Sequence, residues 1–298
     1  MMYHKPALLQ ESMKGLKIKP NGTYLDMTFG GGGFSSEILR NLKNGKLIAF
    51  DRDEDAKQNN INDKRFALII SNYKFFYHFL VFMNIRKVDG IIADLGVSSH
   101  HFDAPERGFA HRLEGPLDMR MNKKSRKNAE WYLNNLEEKE LQHIFSRYGE
   151  IKNAKKMSAA IVAFRQIHEL KTISQLKKAI QTCMPKKSEN QYLSKVFQAL
   201  RIQVNNELEA LKKMLLQTEK VLVSGGRLVI ISYHSLEDRI VKNYIKKGVF
   251  EGEAEKDFYG NIQTPYKPIN KGVITPSQEE LTNNTRVRSA KLRIAEKK

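Results

Sequence analysis

Four glycines, Gly30-Gly31-Gly32-Gly33, stand between a β-type run, Thr23-Tyr24-Leu25-Asp26-Met27-Thr28, and a helical stretch from about Ser35 to Leu42. A glycine-rich turn at such a junction lets a nucleotide-type ligand approach the backbone and the helix N-terminus, where a Cβ would collide. Asp51 ends the next β-type run, 21 residues beyond Gly30. An acid placed there can accept hydrogen bonds from both hydroxyls of a ribose. Turn and acid together predict an adenosine-containing cofactor. The third glycine of a dinucleotide fingerprint is replaced by Ser35, and no Gly-x4-Gly-Lys-Ser/Thr occurs, which weakens NAD and leaves an ATP loop unsupported. Asp26, just before the turn, is placed to meet a methionine amino group through loop amides or water, which favours S-adenosylmethionine.

These residues need a sheet edge to hold them. Lys46 to Phe50, Phe66 to Ile70 and Val88 to Ala93 read as further strands, and strands that alternate with helices make a parallel sheet. The middle of the chain reads differently, as helices over Ala129 to Tyr148, Ala154 to Glu169 and Ile173 to Met184. A helix from Asn205 to Leu222, a helix-ending turn at Gly225-Gly226 and a fifth strand from Arg227 to Ser232 then return to the α/β pattern. Runs around 261–274 and 287–295 are candidates to close the sheet. The expected architecture is a doubly wound α/β core, residues 1–106 and 204–298, interrupted by a basic helical domain over 107–203.

Charge supports that division. The 298 residues carry 51 Lys and Arg against 33 Asp and Glu, a net charge of +18. Within 107–203 the count is 20 against 9, so this third carries +11 and points to a polyanionic partner. Lys123, Lys124, Arg126 and Lys127 form the densest basic run, with Trp131 and Tyr132 beyond it as a stacking surface. Hydrophobic residues at 41% and a single cysteine, Cys183, exclude a disordered chain, an internal disulfide and a cysteine-based zinc site. The N-terminal residues form no signal-peptide run and no stretch suits a membrane span, so a cytoplasmic protein is expected.

The residues match a known family in order along nearly the whole chain. The matching segments are His4-x-Pro6-x-Leu8-Leu9-x-Glu11, Asp26-x-Thr28-Phe29-Gly30-x-Gly32-Gly33-x-Ser35, Phe50-Asp51-Arg52-Asp53 and Ala93-Asp94-Leu95-Gly96-Val97-Ser98-Ser99. Glu106-Arg107-Gly108-Phe109, Gly115-Pro116-Leu117-Asp118-Met119-Arg120-Met121 and Ala199-Leu200-Arg201-Ile202-x-Val204-Asn205-x-Glu207-Leu208 continue the series. Ser232-Tyr233-His234-Ser235-Leu236-Glu237-Asp238-Arg239 and Arg288-Ser289-Ala290-Lys291-Leu292-Arg293 complete it. The sequence resembles the MraW/RsmH methyltransferases, which methylate the exocyclic N(4) amine of a cytidine in bacterial 16S ribosomal RNA. The resemblance implies a Rossmann-like, mostly parallel S-adenosylmethionine-dependent methyltransferase core with an inserted all-helical domain. It also implies 16S ribosomal RNA within the small ribosomal subunit as partner, no membrane, and room for a homodimer.

By the same resemblance, the cofactor contacts fall on Gly32, Gly33, Phe34, Asp51, Tyr73, Asp94 and His101. Three depart from the family pattern, which commonly has His at Phe34, Phe at Tyr73 and Gln at His101. Tyr73 keeps an aromatic face for adenine and His101 a hydrogen-bonding ring, whereas Phe34 offers only its backbone amide. Methyl transfer from a sulfonium needs chiefly alignment, and an acceptor beside the amine would localise its lone pair and carry its proton. Asp94, after the fourth strand, is the first candidate, with loop capping through Ser98 or Ser99 as its alternative. Asp118 could meet the base or pair with Arg120. Asn205 could read the cytosine edge or serve as an N-cap, and His234 could stack on the base or cap a helix. His100 and His101 beside Asp103 are read as ordinary polar residues rather than a required metal site. Arg286, Arg288, Lys291 and Arg293 are further candidate phosphate contacts. Two other readings remain, an NAD-dependent oxidoreductase and an RNA-binding assembly factor with a non-catalytic cofactor pocket.

Overall fold

Val, Ile and Leu dominate short runs bounded by Gly, Asn and Asp, the pattern of strands buried on both faces. The computed structural model describes residues 6–298, apart from the side chains of Ser99 and His100; His4 of the first motif lies outside the described residues. Its seven strands are β1 (Thr23–Asp26), β2 (Lys46–Asp51), β3 (Phe66–Ile70), β4 (Val88–Asp94), β5 (Leu222–Ser232), β6 (Tyr266–Pro268) and β7 (Lys291–Lys297). They form one sheet in the order β3-β2-β1-β4-β5-β7-β6. β1 to β5 run parallel, and β7 pairs antiparallel with both β5 and β6. The fold is α/β and Rossmann-like.

The chain divides into two compact units, Met1–Gly96 with Leu208–Lys298, and Val97–Glu207. The first unit holds the sheet and helices α1 (Leu9–Leu16), α2 (Gly33–Asn41) and α3 (Phe76–Phe82). The second holds α4 (Ser99–Asp103), α5 (Ala129–Asn135), α6 (Glu138–Gly149), α7 (Ala154–Arg165), α8 (Ile173–Ile180) and α9 (Glu189–Asn205). α10 (Glu207–Val221), α11 (Ser235–Lys247) and α12 (Gln278–Asn283) follow. The sequence-based junctions at 106/107 and 203/204 move outward, to 96/97 and 207/208. The cause is packing: Val97 joins the apolar core of the helical unit, the His101 ring lies 4.7 Å from that of Phe109, and α9 runs on to Asn205. That core contains Leu141, Phe145, Met157, Ile161, Leu176, Val196 and Leu200, all fully buried. Each such side chain contributes on the order of 1.5–3 kcal/mol.

Several element boundaries differ from the periodicity reading, each for a local reason. The helix expected over 129–148 is two helices, because Glu137 starts a new one with its N–H bonded to Glu140 Oε2 at 2.9 Å. The third helix ends at Ile180, with a turn of 3₁₀ helix over Gln181–Cys183. The helix expected to begin at Asn205 begins at Glu207, since Asn206 adopts φ 49° and breaks the chain of helical bonds. Gly225-Gly226 is no helix-ending turn: it lies inside β5, where Gly225 has φ 75° and the pairing with β4 shifts register. No helix among the described residues is long and apolar enough to cross a membrane.

Candidate active site

Parallel pairing brings the carboxyl ends of β1, β2 and β4 to one edge of the sheet, so Asp26, Asp51 and Asp94 end adjacent strands. The glycine turn closes over this edge. Gly32 caps α2 with φ 76°, a conformation that favours glycine, and the first bond of the helix runs from Ser36 N to the Gly32 carbonyl. The amides of Gly33 and Phe34 therefore have no acceptor within the helix and are available at its positive end. The Phe34 side chain is buried in the core, which leaves only its amide for a ligand. The histidine-to-phenylalanine departure thus packs the core.

Asp51 orders the turn. Its Oδ2 accepts the Gly30 N–H at 2.8 Å and its Oδ1 accepts the Asp53 N–H at 2.9 Å. Asn59 Nδ2 holds the Gly30 carbonyl at 2.9 Å on the other side. Tyr73 opens a short 3₁₀ turn after β3, capped by Asn72, and its ring packs partly against the core.

Asp26 has a different task from the one its position suggests. Its Oδ1 accepts the Thr28 N–H at 3.1 Å and its Oδ2 accepts the Ser35 hydroxyl at 2.7 Å, tying the strand end to α2. Burial pushes its pKa up to about 6 against those two bonds. Thr28 also accepts the Asp94 N–H at 2.7 Å and so links β1 to β4. Asp94 itself carries the most unusual group of the edge. Its Oδ1 is buried and has no hydrogen-bond partner among the described residues. Burial, opposed by a hydrogen bond from Tyr233 and reinforced by the charges of Asp26 and Glu237, pushes its pKa up to about 7. Burial and the neighbouring carboxylate push the Tyr233 hydroxyl well above its ordinary value. Sequence reasoning gives Tyr233 no role of its own, although it stands in the Ser232-Tyr233-His234-Ser235 segment that ends β5 beside β4.

His234 takes its capping alternative. It is the N-cap of α11, its Nδ1 accepting the Glu237 N–H at 3.4 Å and its Nε2 lying 3.2 Å from Glu237 Oε1. Its ring is almost fully buried. Asn205 is not an N-cap. It is the last residue of α9, buried, with its Oδ1 accepting the Met121 N–H at 2.9 Å and its Nδ2 donating to the Met119 carbonyl at 2.7 Å. Asp118 receives Arg120 through Nε at 2.8 Å and Nη2 at 2.7 Å, the pairing that the sequence offered as its alternative. Met119 between them has φ 59°. A Cβ on Gly108 would collide with the Pro116 carbonyl, and Arg107 Nη2 bonds the Arg120 carbonyl at 2.9 Å. The Arg107-Gly108 and 115–121 motifs thus interlock with Asn205 as one structural knot of the helical unit. Replacing Asn205 by Ala strands a buried N–H and C=O and should destabilise the protein by about 2–4 kcal/mol, read as a lowered urea midpoint.

His101 belongs to the helical unit, where its Nδ1 lies 2.9 Å from Ser98 Oγ. Lys123, Lys124, Arg126 and Lys127 are all exposed, and Lys127 Nζ sits 3.7 Å from the Trp131 ring centroid. Trp131 and Tyr132 meet edge to face at 5.2 Å. Of the C-terminal basic residues, Arg286 and Arg288 are exposed, but Arg293 is bound by Asp238 at 2.7 and 3.0 Å and is withdrawn as a phosphate contact.

Strand order, a glycine turn at a helix N-terminus, an acid ending the second strand and a buried carboxylate with one oxygen unpartnered among the described residues define an α/β enzyme with a nucleotide-type cofactor site. Comparison with known proteins gives the family. The MraW methylase family model matches residues 1–298, and the chain belongs to that family. The ribosomal RNA small subunit methyltransferase H of Christiangramia forsetii is 52% identical over 298 residues, covering 100% of this chain and 98% of that protein. The protein of the same name from Cytophaga hutchinsonii is 50% identical over 298 residues, covering 99% of this chain and 100% of that one. A solved rRNA methylase from Streptococcus thermophilus aligns at TM-score 0.44 and 12% identity over 100% of this chain and 98% of its own; the fold assignment rests on the strand order. Membership of a methylase family sets the oxidoreductase reading aside.

Proposed function

We propose that the protein methylates the exocyclic N(4) amine of a cytidine in bacterial 16S ribosomal RNA, using S-adenosylmethionine, with the small ribosomal subunit as the form acted on and the cytoplasm as the place. The observation that carries this reading is Asp94: a buried carboxylate oxygen without a partner among the described residues, at the strand edge that also presents the glycine turn and Asp51. The residues fit an adenosine-containing group. Gly33 and Phe34 offer their amides at the helix N-terminus, Asp51 ends the second strand where a ribose would lie, and Tyr73 supplies a ring for adenine. The assignment of His101 to the same ligand comes from the family resemblance.

S-adenosylmethionine, when bound, supplies a methyl group already activated on a sulfonium, so the protein's work is alignment. The glycine turn and Asp51 orient the nucleoside part. Asp94 Oδ1 accepts a hydrogen bond from the cytosine amine, which localises the nitrogen lone pair and then receives the proton. Tyr233 and the Thr28 hydroxyl fix the Asp94 side chain and backbone respectively. A cytosine that reaches so buried an atom has to be splayed out of any stack.

The helical unit is the proposed RNA-binding part, through the 123–127 run and the Lys127–Trp131 pair. Replacing Lys123, Lys124, Arg126 and Lys127 by Gln should reduce the slope of log affinity against log salt by about 0.7 for each phosphate that is no longer neutralised. Filter binding of small-subunit RNA between low and physiological salt reads this, and an unchanged slope rejects the run as an RNA-binding surface. Calorimetric titration with S-adenosylmethionine tests the cofactor assignment directly; no heat and no competition by its demethylated product would overturn it.

A further inference from the structure

Among the described residues, Phe258 is the most exposed large apolar side chain at 97%, and its neighbour Tyr259 is 85% exposed. Both stand at the tip of a hairpin after α11, outside the site. The hairpin is built rather than loose. Lys256 and Ile262 pair antiparallel, the Gln263 N–H donates to the Glu255 carbonyl at 2.8 Å, and the Gly260 N–H donates to the Asp257 carbonyl at 2.9 Å. Asp257 Oδ1 accepts the N–H groups of Tyr259 at 2.9 Å and Asn261 at 2.8 Å, and its bonds to Asn261 first of all hold its carboxyl below the usual carboxylate range. The stem is tied to α11, with Asn243 Nδ2 bonded to the Phe250 carbonyl at 2.8 Å and Thr264 Oγ1 to the Ile245 carbonyl at 2.9 Å. Two aromatic rings, 5.6 Å apart and edge to face, are thus presented to solvent on a braced turn. Exposing two such rings costs solubility without adding to the core, and adjacent exposed aromatics mark contact surfaces.

The flanking charges select the occupant. Glu251, Glu253, Glu255 and Asp257 stand against the single cation Lys256 between 251 and 257, a net −3 in a chain of +18; at the base Lys212 pairs with Glu251 at 3.5 Å and Lys247 Nζ donates to the Gly252 carbonyl at 3.2 Å, so the excess negative charge lies toward the tip, on Glu253, Glu255 and Asp257. A phosphate backbone would be repelled here, whereas a cationic chain would be attracted, and arginine guanidinium groups stack on Phe and Tyr faces. We propose that the Phe258–Tyr259 hairpin is a docking tip for an arginine-rich polypeptide segment of another protein, separate from the nucleic-acid contacts of the helical unit. Aromatic faces bind the guanidinium planes and the glutamates give the long-range attraction.

The test uses the full-length protein and two labelled probes, a nona-arginine peptide and a decauridylate, titrated by fluorescence anisotropy. Replacing Phe258 and Tyr259 by Ala removes exposed groups only, and should weaken the peptide about tenfold while leaving the oligonucleotide unchanged. A Glu251→Gln, Glu253→Gln, Glu255→Gln variant should likewise weaken the peptide and flatten its salt dependence. Equal peptide affinity in all three proteins overturns the proposal. Loss of decauridylate binding in the aromatic variant would make the tip a base-stacking surface and overturns it as well. Both readouts are independent of methyl transfer.

Discussion

Replacing Asp51 by Ala should weaken S-adenosylmethionine binding about a hundredfold or more while leaving RNA affinity within about twofold. The carboxylate is bonded to the Gly30 and Asp53 amides, and so holds the glycine turn in the shape that presents the Gly33 and Phe34 amides. Hydrogen bonds to a charged group contribute roughly 1.5–3 kcal/mol each, and the ribose bonds disappear with them. Asp51→Asn should fall between, since one amide oxygen can keep one of the two backbone bonds. Isothermal calorimetry for the cofactor and filter binding for the RNA separate the effects. Equal losses in both would contradict the division of labour between the units.

The second large effect concerns Asp94 and pH. If its carboxylate accepts the amine proton, it must be ionised, so kcat/KM should rise as pH is raised through about 7. Asp94→Asn should lower kcat/KM on the order of a hundredfold or more and abolish that rise. Tyr233→Phe removes the bond that favours the charged form, so the midpoint of the rise should move to higher pH with the rate retained above it. Stability carries the opposite sign. Burial raises the folded pKa above the unfolded value of 3.8, so the contribution of Asp94 is fully present below pH ~4 and is lost as pH rises through about 7. Asp26, raised to about 6, adds to the same slope over a slightly lower range. Asp94→Asn should therefore unfold with a smaller loss of stability between pH ~5 and pH ~8 than the parent protein. A parent pH profile reproduced by Asp94→Asn would remove Asp94 from the chemistry.

Both predictions concern residues legible in the sequence alone, and the reason is locality. A glycine turn, its strand and its helix are consecutive, and the acid of the next strand follows at a spacing set by one βαβ unit. Most of the cofactor edge is therefore written in one stretch of sequence. Asn205 shows the opposite case. Its partners Met121 and Met119 lie 84 and 86 residues away, and no spacing announces that an amide at a helix end will hold a distant loop. A polar residue inside a well-matched motif invites a chemical reading, yet here the motif exists for the knot it ties with Gly108 and Arg107. Asp118 is the more legible case, since Arg120 two positions on announces the ion pair that forms.

Backbone conformation accounts for most remaining differences. Glu137 and Asn206 end or restart helices whose side-chain periodicity runs on through the break, so periodicity alone merges or shifts them. Gly225 reads as a helix terminator because glycine favours that position, but the same positive φ serves a bulge in β5. Tyr233 carries no signal of its own, because a tyrosine ending a strand is ordinary until the neighbouring strand places a buried carboxylate beside it.

The central claim is methyl transfer to a cytosine amine. Incubating the protein with methyl-labelled S-adenosylmethionine and unmodified bacterial small subunits, then mapping the label by nucleoside mass spectrometry, tests it most directly. Label is expected on the N(4) nitrogen of a single cytidine in the 16S RNA, and is lost in Asp94→Asn. Label on a ring carbon, on a ribose or on another base, or cofactor binding with no transfer to RNA in any assembly state, would contradict it.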